Sequence, residues 1–131
     1  MNNCTRKILL VEDDKGDTKM IERILNEVAP NTKVISRTSM KQAYDTFKSH
    51  ELDLVILDLN LPDGYGPASV KEMRRFNRST PILVLTGLAS DITVNEALKN
   101  GANQIILKSK IKEDEFKRIL SEHLKDNWFL D

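Results

Sequence analysis

Cysteine is nearly absent. Cys4 is the only one in 131 residues, so no internal disulfide can form, and it falls in a segment expected to fray. Aromatic residues make up 5% of the chain, with a single Trp, and there are five Gly and four Pro. A core must therefore be aliphatic, and Gly and Pro punctuate turns instead of filling a low-complexity segment. No apolar run approaches the roughly 18 residues of a membrane span. MNNCTRK at the start lacks the apolar stretch of a secretory signal, so a cytoplasmic chain is expected. Excess charge of one sign is missing too: 20 Lys and Arg balance 20 Asp and Glu. That balance gives no support for direct contact with nucleic acid or a membrane. The basic group Lys71, Arg74, Arg75 and Arg78 reads as a solvated helix face.

What is present suits one globular domain over 1–131, with its packed core at about 7–124: 40% of residues are hydrophobic and 31% charged. Short apolar runs recur at 7–11, 32–36, 54–57, 82–85 and 105–107. Three are continuously apolar, as strands covered on both faces are. The second, with Lys33, Ser36 and Arg37 around Val34 and Ile35, reads as an edge strand. Between the runs the apolar period lengthens to that of a helix: Ile21, Ile24, Leu25 and Val28; Met40, Ala43, Tyr44 and Phe47; Phe116, Ile119, Leu120 and Leu124. Ser39 and Asp91 are expected N-caps, and Asn100-Gly101 a helix end. The tail Asn127-Trp128-Phe129-Leu130 is expected to lie loosely over a helix end. Alternating strands and helices give a doubly wound α/β sandwich with a parallel five-stranded sheet, whose ligand site lies beyond the carboxyl ends of the strands.

Those ends carry the chemistry. Glu12-Asp13-Asp14 follows the first run, Asp58 the third, Thr86 ends the fourth, and Lys108 follows the fifth. On parallel strands these groups share one edge: several carboxylates, a hydroxyl and an ammonium, a set suited to a divalent cation and a phosphoryl group. Taken singly, an acidic pair caps helices, a threonine lines a loop, and a lysine faces solvent. Their joint order along the chain is what carries information.

ILLVEDD, LVILDLNLPDGYG, PILVLTG and NGANQIILK together resemble the receiver domain of two-component response regulators, over Lys7 to about Leu124. The resemblance implies the flavodoxin-like (βα)5 fold with strand order 2-1-3-4-5. It implies that Asp58 accepts a phosphoryl group from a phosphohistidine, in the manner of a carboxylate nucleophile. The cation would be Mg2+, or Mn2+, ligated by Asp13, Asp58 and the backbone carbonyl of Asn60, with Glu12 acting through a water. Asp14 is the ambiguous member of the acidic run, read from its position as solvating or capping the following helix. Lys108 would pair with Asp58 and then with the phosphoryl group, while the Thr86 hydroxyl and the Gly87 amide would donate to its other oxygens. Pro62 and Gly66 fall where the family's acceptor loop has its Pro and Gly. The chain would catalyse its own phosphorylation and dephosphorylation yet turn over no separate substrate.

Thr86 and the residue three before the lysine form the family's switch, acting on a face made by the fourth helix, fifth strand and fifth helix. Two departures stand out here. Ile105 replaces the usual aromatic, so no inward-turning ring is available. Ser109 replaces the usual proline, so the Lys108–Ser109 peptide is expected trans, since cis would cost about 2.5–4 kcal/mol. Asn60 and Leu88 flank the expected path of hydrolytic water, and Leu88 predicts a persistent phosphoryl group. Expected partners are a sensor histidine kinase or a histidine phosphotransfer protein, docking on the first helix (about 16–28) and the loop after the fifth strand, and a downstream effector that the sequence does not identify. The chain is expected to be a monomer or a weak phosphorylation-dependent dimer, either stand-alone or excised from a longer regulator. A phosphorylation-independent, receiver-like adaptor is the alternative. A flavin binder is disfavoured because the acids would repel its phosphate, and a dehalogenase-type phosphatase because Asn60 stands where it needs a second carboxylate.

Overall fold

Ile, Leu and Val dominate the five short runs, and the computed structural model, which describes residues 5–87 and 89–124, makes each a strand. The strands are β1 (Arg6–Val11), β2 (Thr32–Arg37), β3 (Leu54–Leu57), β4 (Ile82–Thr86) and β5 (Gln104–Leu107). All pairings are parallel and the order is β2-β1-β3-β4-β5, as the resemblance implied. The helices between and after them are α1 (Lys15–Val28), α2 (Met40–Ser49), α3 (Pro67–Arg74), α4 (Asp91–Lys99) and α5 (Glu113–Leu124). Cys4, Leu88 and the tail at 127–130 lie outside the described residues.

Side chains alternate along each run even though the runs are apolar throughout. Leu9, Val11, Val55, Leu57, Ile82 and Val84 turn to one layer, closed by Met40 and Phe47 of α2, Met73 of α3 and Ala97 of α4. Ile8, Leu10, Leu54, Ile56, Leu83 and Leu85 turn to the other, closed by Ile21, Ile24 and Leu25 of α1 and Phe116 and Leu120 of α5. Each such aliphatic side chain contributes about 1.5–3 kcal/mol on leaving water, so the central strands are the rigid part of the molecule. β2 is an edge strand, as its polar flanks predicted.

Helix ends fix the loops around the strand edge. The Ser39 hydroxyl accepts from the Gln42 N–H at the start of α2. The Asp63 carboxylate reaches across from the β3–α3 loop to accept from the Met40 and Lys41 N–H groups at 2.8 and 3.1 Å. At α4 the cap is Ser90 and not Asp91: its hydroxyl accepts from the Thr93 N–H at 3.1 Å. Asp91 instead takes the first turn, where a carboxylate faces the positive end of the helix dipole. Gly66 enters α3 with φ 60, a left-handed conformation, ahead of Pro67.

In the basic group of α3 and the loop after it, Lys71, Arg75 and Arg78 are exposed as expected, and Arg74 departs from the solvated face. Arg74 is half-buried, and its guanidinium donates to the carbonyls of Gly101, Asn77 and Thr80 and to the Asn103 side chain, at 2.7–3.2 Å. A planar fork of five N–H donors suits this cluster of carbonyls, whereas charge periodicity could not reveal it. Gly101, at φ 117, must be glycine twice over, because a Cβ there would also sit 2.8 Å from Arg74 Cγ.

Candidate functional site

Each site residue is held by the ladder at a strand end. Glu12 N–H donates to Arg37 O at 3.0 Å, Asp58 N–H to Val11 O at 3.0 Å, and Lys108 N–H to Thr86 O at 2.8 Å. The parallel register therefore places Glu12, Asp58, Thr86 and Lys108 along one edge, at the crevice where strand order reverses.

Asp58 is 6% exposed, and both its oxygens are engaged. Oδ1 accepts from the Asn60 N–H at 3.0 Å and the Thr86 hydroxyl at 3.2 Å, and Oδ2 accepts from Lys108 Nζ at 3.2 Å. Thr86 is fully buried, and its hydroxyl also accepts from the Asn60 side-chain amide at 3.0 Å. Thus the Thr86 hydroxyl faces the Asp58 carboxylate directly. Lys108 Nζ lies closer to two other acids, Glu12 Oε1 at 2.6 Å and Asp17 Oδ2 at 2.7 Å.

Glu12, Asp13 and Asp58 each offer a carboxylate oxygen, and these oxygens lie within 4.8 Å of one another. Three hard oxygen donors, two buried and the exposed Asp13 at the mouth, fit a small divalent cation such as Mg2+. Asp14 stands outside this trio: its carboxylate accepts from the Asp17 N–H at 2.8 Å and caps α1, while its own N–H donates to Glu12 Oε2.

Burial lifts the Glu12 carboxyl above its ordinary value, with the Lys108 and Asp14 hydrogen bonds only partly opposing it. Burial also disfavours the Lys108 ammonium, but the hydrogen bonds to Asp17 and Glu12 and the charge of Asp58 outweigh it, and the lysine titrates above its ordinary value. These shifts pull the Glu12–Lys108 pair in opposite senses. Three carboxylates surround the single Lys108 ammonium and favour its charged form.

The remaining expected positions are placed as follows. Gly87 follows β4 with open space where a Cβ would stand, and its carbonyl accepts from Ser109 Oγ at 3.4 Å. No cis peptide occurs among the described residues, so Lys108–Ser109 is trans. Ile105 lies half-buried against the α2–α3–α4 layer. Asp17 is the site residue that sequence reasoning missed. Its signal was its place in the first turn of α1, the turn that opens directly onto the strand-end edge.

An open parallel α/β sheet carries at its carboxyl edge an acid trio that a divalent cation would fit, beside a hydroxyl and a lysine that both donate to the buried Asp58. The chain belongs to the response regulator receiver domain family, whose model matches residues 8–121. It is 32% identical over 119 residues to the transcription factor SKN7 of Candida albicans, covering 91% of this chain and 21% of that protein. It is 31% identical over 113 residues to the cell cycle transcriptional regulator CtrA of Caulobacter vibrioides, covering 86% and 48%. The chain thus spans from about a fifth to about half the length of these relatives. The receiver domain of the sensor histidine kinase PA1611 of Pseudomonas aeruginosa, with a magnesium ion coordinated in its active site cleft, superposes with a TM-score of 0.77 at 28% identity, covering 91% of this chain and 97% of that one. The non-phosphorylated HemR receiver domain of Leptospira biflexa gives 0.80 at 28%, covering 92% and 95%.

Proposed function

We propose that this chain is the phosphoacceptor of a two-component phosphorelay, with Asp58 taking the phosphoryl group from a phosphohistidine. The carrying observation is the environment of Asp58, a buried carboxylate beside two further acids, with a hydroxyl and an ammonium already donating to it. An oxygen of Asp58 attacks phosphorus, the phosphorus–nitrogen bond breaks, and the ring nitrogen leaves with the electron pair and takes up a proton from solvent to give imidazole. Bound Mg2+ would offset the repulsion between carboxylates and phosphoryl oxygens. Asp13, Asp58 and the Asn60 carbonyl would hold it, with Glu12 through a water. Lys108, Thr86 and the Gly87 amide supply donors where negative charge builds up. The chain modifies itself and turns over no separate substrate.

A histidine kinase or phosphotransfer protein is the natural donor. Beside Lys108 a cavity of about 240 Å³ opens between α1 and α5, lined by Met20, Ile24, Leu85, Ile111 and Phe116. An apolar knob on a donor's helical surface would seat there and bring its phosphohistidine to the strand edge. On the far side, Ile92 and Leu98 of α4 are exposed and offer an output surface with β5 and α5. The added phosphoryl charge, about −1.5 to −2, is the signal, and Thr86 with Ile105 would transmit it to that surface.

Acetyl phosphate labelling tests this reading. Wild type takes up label with Mg2+ and loses the ability under chelation, and Asp58→Asn takes none. Equal labelling of wild type and Asp58→Asn would refute it.

A further inference from the structure

Lys108 has three N–H donors, and each meets a carboxylate: Glu12 at 2.6 Å, Asp17 at 2.7 Å and Asp58 at 3.2 Å. Two of these partners, Glu12 and Asp58, also belong to the trio that fits a divalent cation; Asp17 does not. A cation draws on the lone pairs of Glu12 and Asp58 and weakens their hold on the ammonium. Asp17 then remains as the only one of the three acids that the lysine need not share.

Asp17 is also suitably rigid. Its backbone N–H is fixed by the Asp14 cap, and it sits in the first turn of a helix anchored by the buried Ile21, Ile24 and Leu25. Lys108, by contrast, hangs on a flexible four-carbon stem at the end of β5, with its side chain 18% exposed. Without a fixed acid on the α1 side, that stem can swing toward water once the cation is bound.

We infer that Asp17 is a positioning residue for phosphoryl transfer, tethering the Lys108 ammonium from helix α1 so that its other donors point at the phosphoryl oxygens on Asp58. The inference rests on the phosphoacceptor reading above. In the resting chain the lysine bridges three acids. In the phosphorylated chain it keeps Asp17 and exchanges Glu12 and Asp58 for phosphoryl oxygens. Asp17 touches no reacting atom and acts through the lysine alone.

The test compares the full chain with Asp17→Asn and Asp17→Glu, in Mg2+, by two readouts. The first is the Lys108 ammonium signal in nitrogen-15 NMR, which is sharp only while its protons are held in hydrogen bonds. The second is the rate of labelling by acetyl phosphate as donor concentration is varied. Asp17→Asn should broaden the Lys108 signal and lower the maximal labelling rate about tenfold, the scale of one lost charge-assisted hydrogen bond. The donor concentration for half-maximal rate should stay the same. Asp17→Glu, which restores the anion on a partly exposed helix turn, should recover both the signal and most of the rate. An unchanged signal and rate in Asp17→Asn would overturn the inference, as would Asp17→Glu failing to recover what Asp17→Asn loses. Wild-type chain that takes no label at all would instead overturn the phosphoacceptor reading, and this inference with it.

Discussion

At the scale of single residues, Lys108 pairs with Asp58 as expected but with two further acids as well, and Arg74 departs from expectation. Arg74 was expected in solvent and meets carbonyls instead. Arg74 binds the end of α3, the α3–β4 loop and the α4–β5 turn through one planar group. Replacing it with lysine keeps the charge but cannot reproduce the fork, leaving half-buried carbonyls short of donors at about 1–3 kcal/mol each. Urea unfolding of Arg74→Lys should therefore show a loss of at least about 2 kcal/mol with an unchanged denaturant slope. Asp58, Thr86 and Lys108 were legible because each ends an apolar run, and a run's end in a parallel sheet is a place. Asp17 and Arg74 were not, because they act from helices, where a charged residue on the outer face and one turned inward have the same spacing.

At the scale of elements, the strands were read almost to the residue because burial on both faces leaves uninterrupted aliphatic runs. Helix starts were less certain: in Ser90-Asp91 two good cap residues stand side by side, and the serine takes the cap. Asp63 shows how one element fixes another. It lies in the loop that follows Asp58 and Asn60, and its carboxylate accepts from the first N–H groups of α2. Those bonds from Met40 and Lys41 hold the carboxyl below its ordinary value. A group with a depressed folded value stabilises the fold fully above its unfolded value, about 3.9, and loses that contribution as pH falls toward the folded one. Asp63→Ala should cost about 1 kcal/mol at neutral pH. The gap between the two proteins, measured by urea unfolding, should shrink as pH falls below about 4. A gap independent of pH would mean that the capping charge contributes nothing.

At the scale of the molecule, stability and signalling meet in the acid trio. Folding brings Asp58 to the neighbouring pair Glu12-Asp13 and unfolding separates them, so a cation that needs all three binds the folded chain alone. At a hundred times its dissociation constant, Mg2+ should raise the unfolding free energy by about 2.7 kcal/mol. Thermal melts across a Mg2+ titration should show that rise in wild type and little of it in Asp13→Asn. A fold so firmly built on aliphatic strands leaves the polar edge free to be tuned for charge. No helix among the described residues is long and apolar enough to cross a membrane.

The central claim is that Asp58 forms the acyl phosphate. Borohydride reduction of the chain after acetyl phosphate treatment in Mg2+, followed by peptide mass mapping, reads the acceptor directly, because a phosphorylated aspartate is reduced to homoserine. The account predicts homoserine at position 58, absent when Mg2+ is chelated. Homoserine at Asp13 or another acid, with Asp58 unchanged, would contradict it.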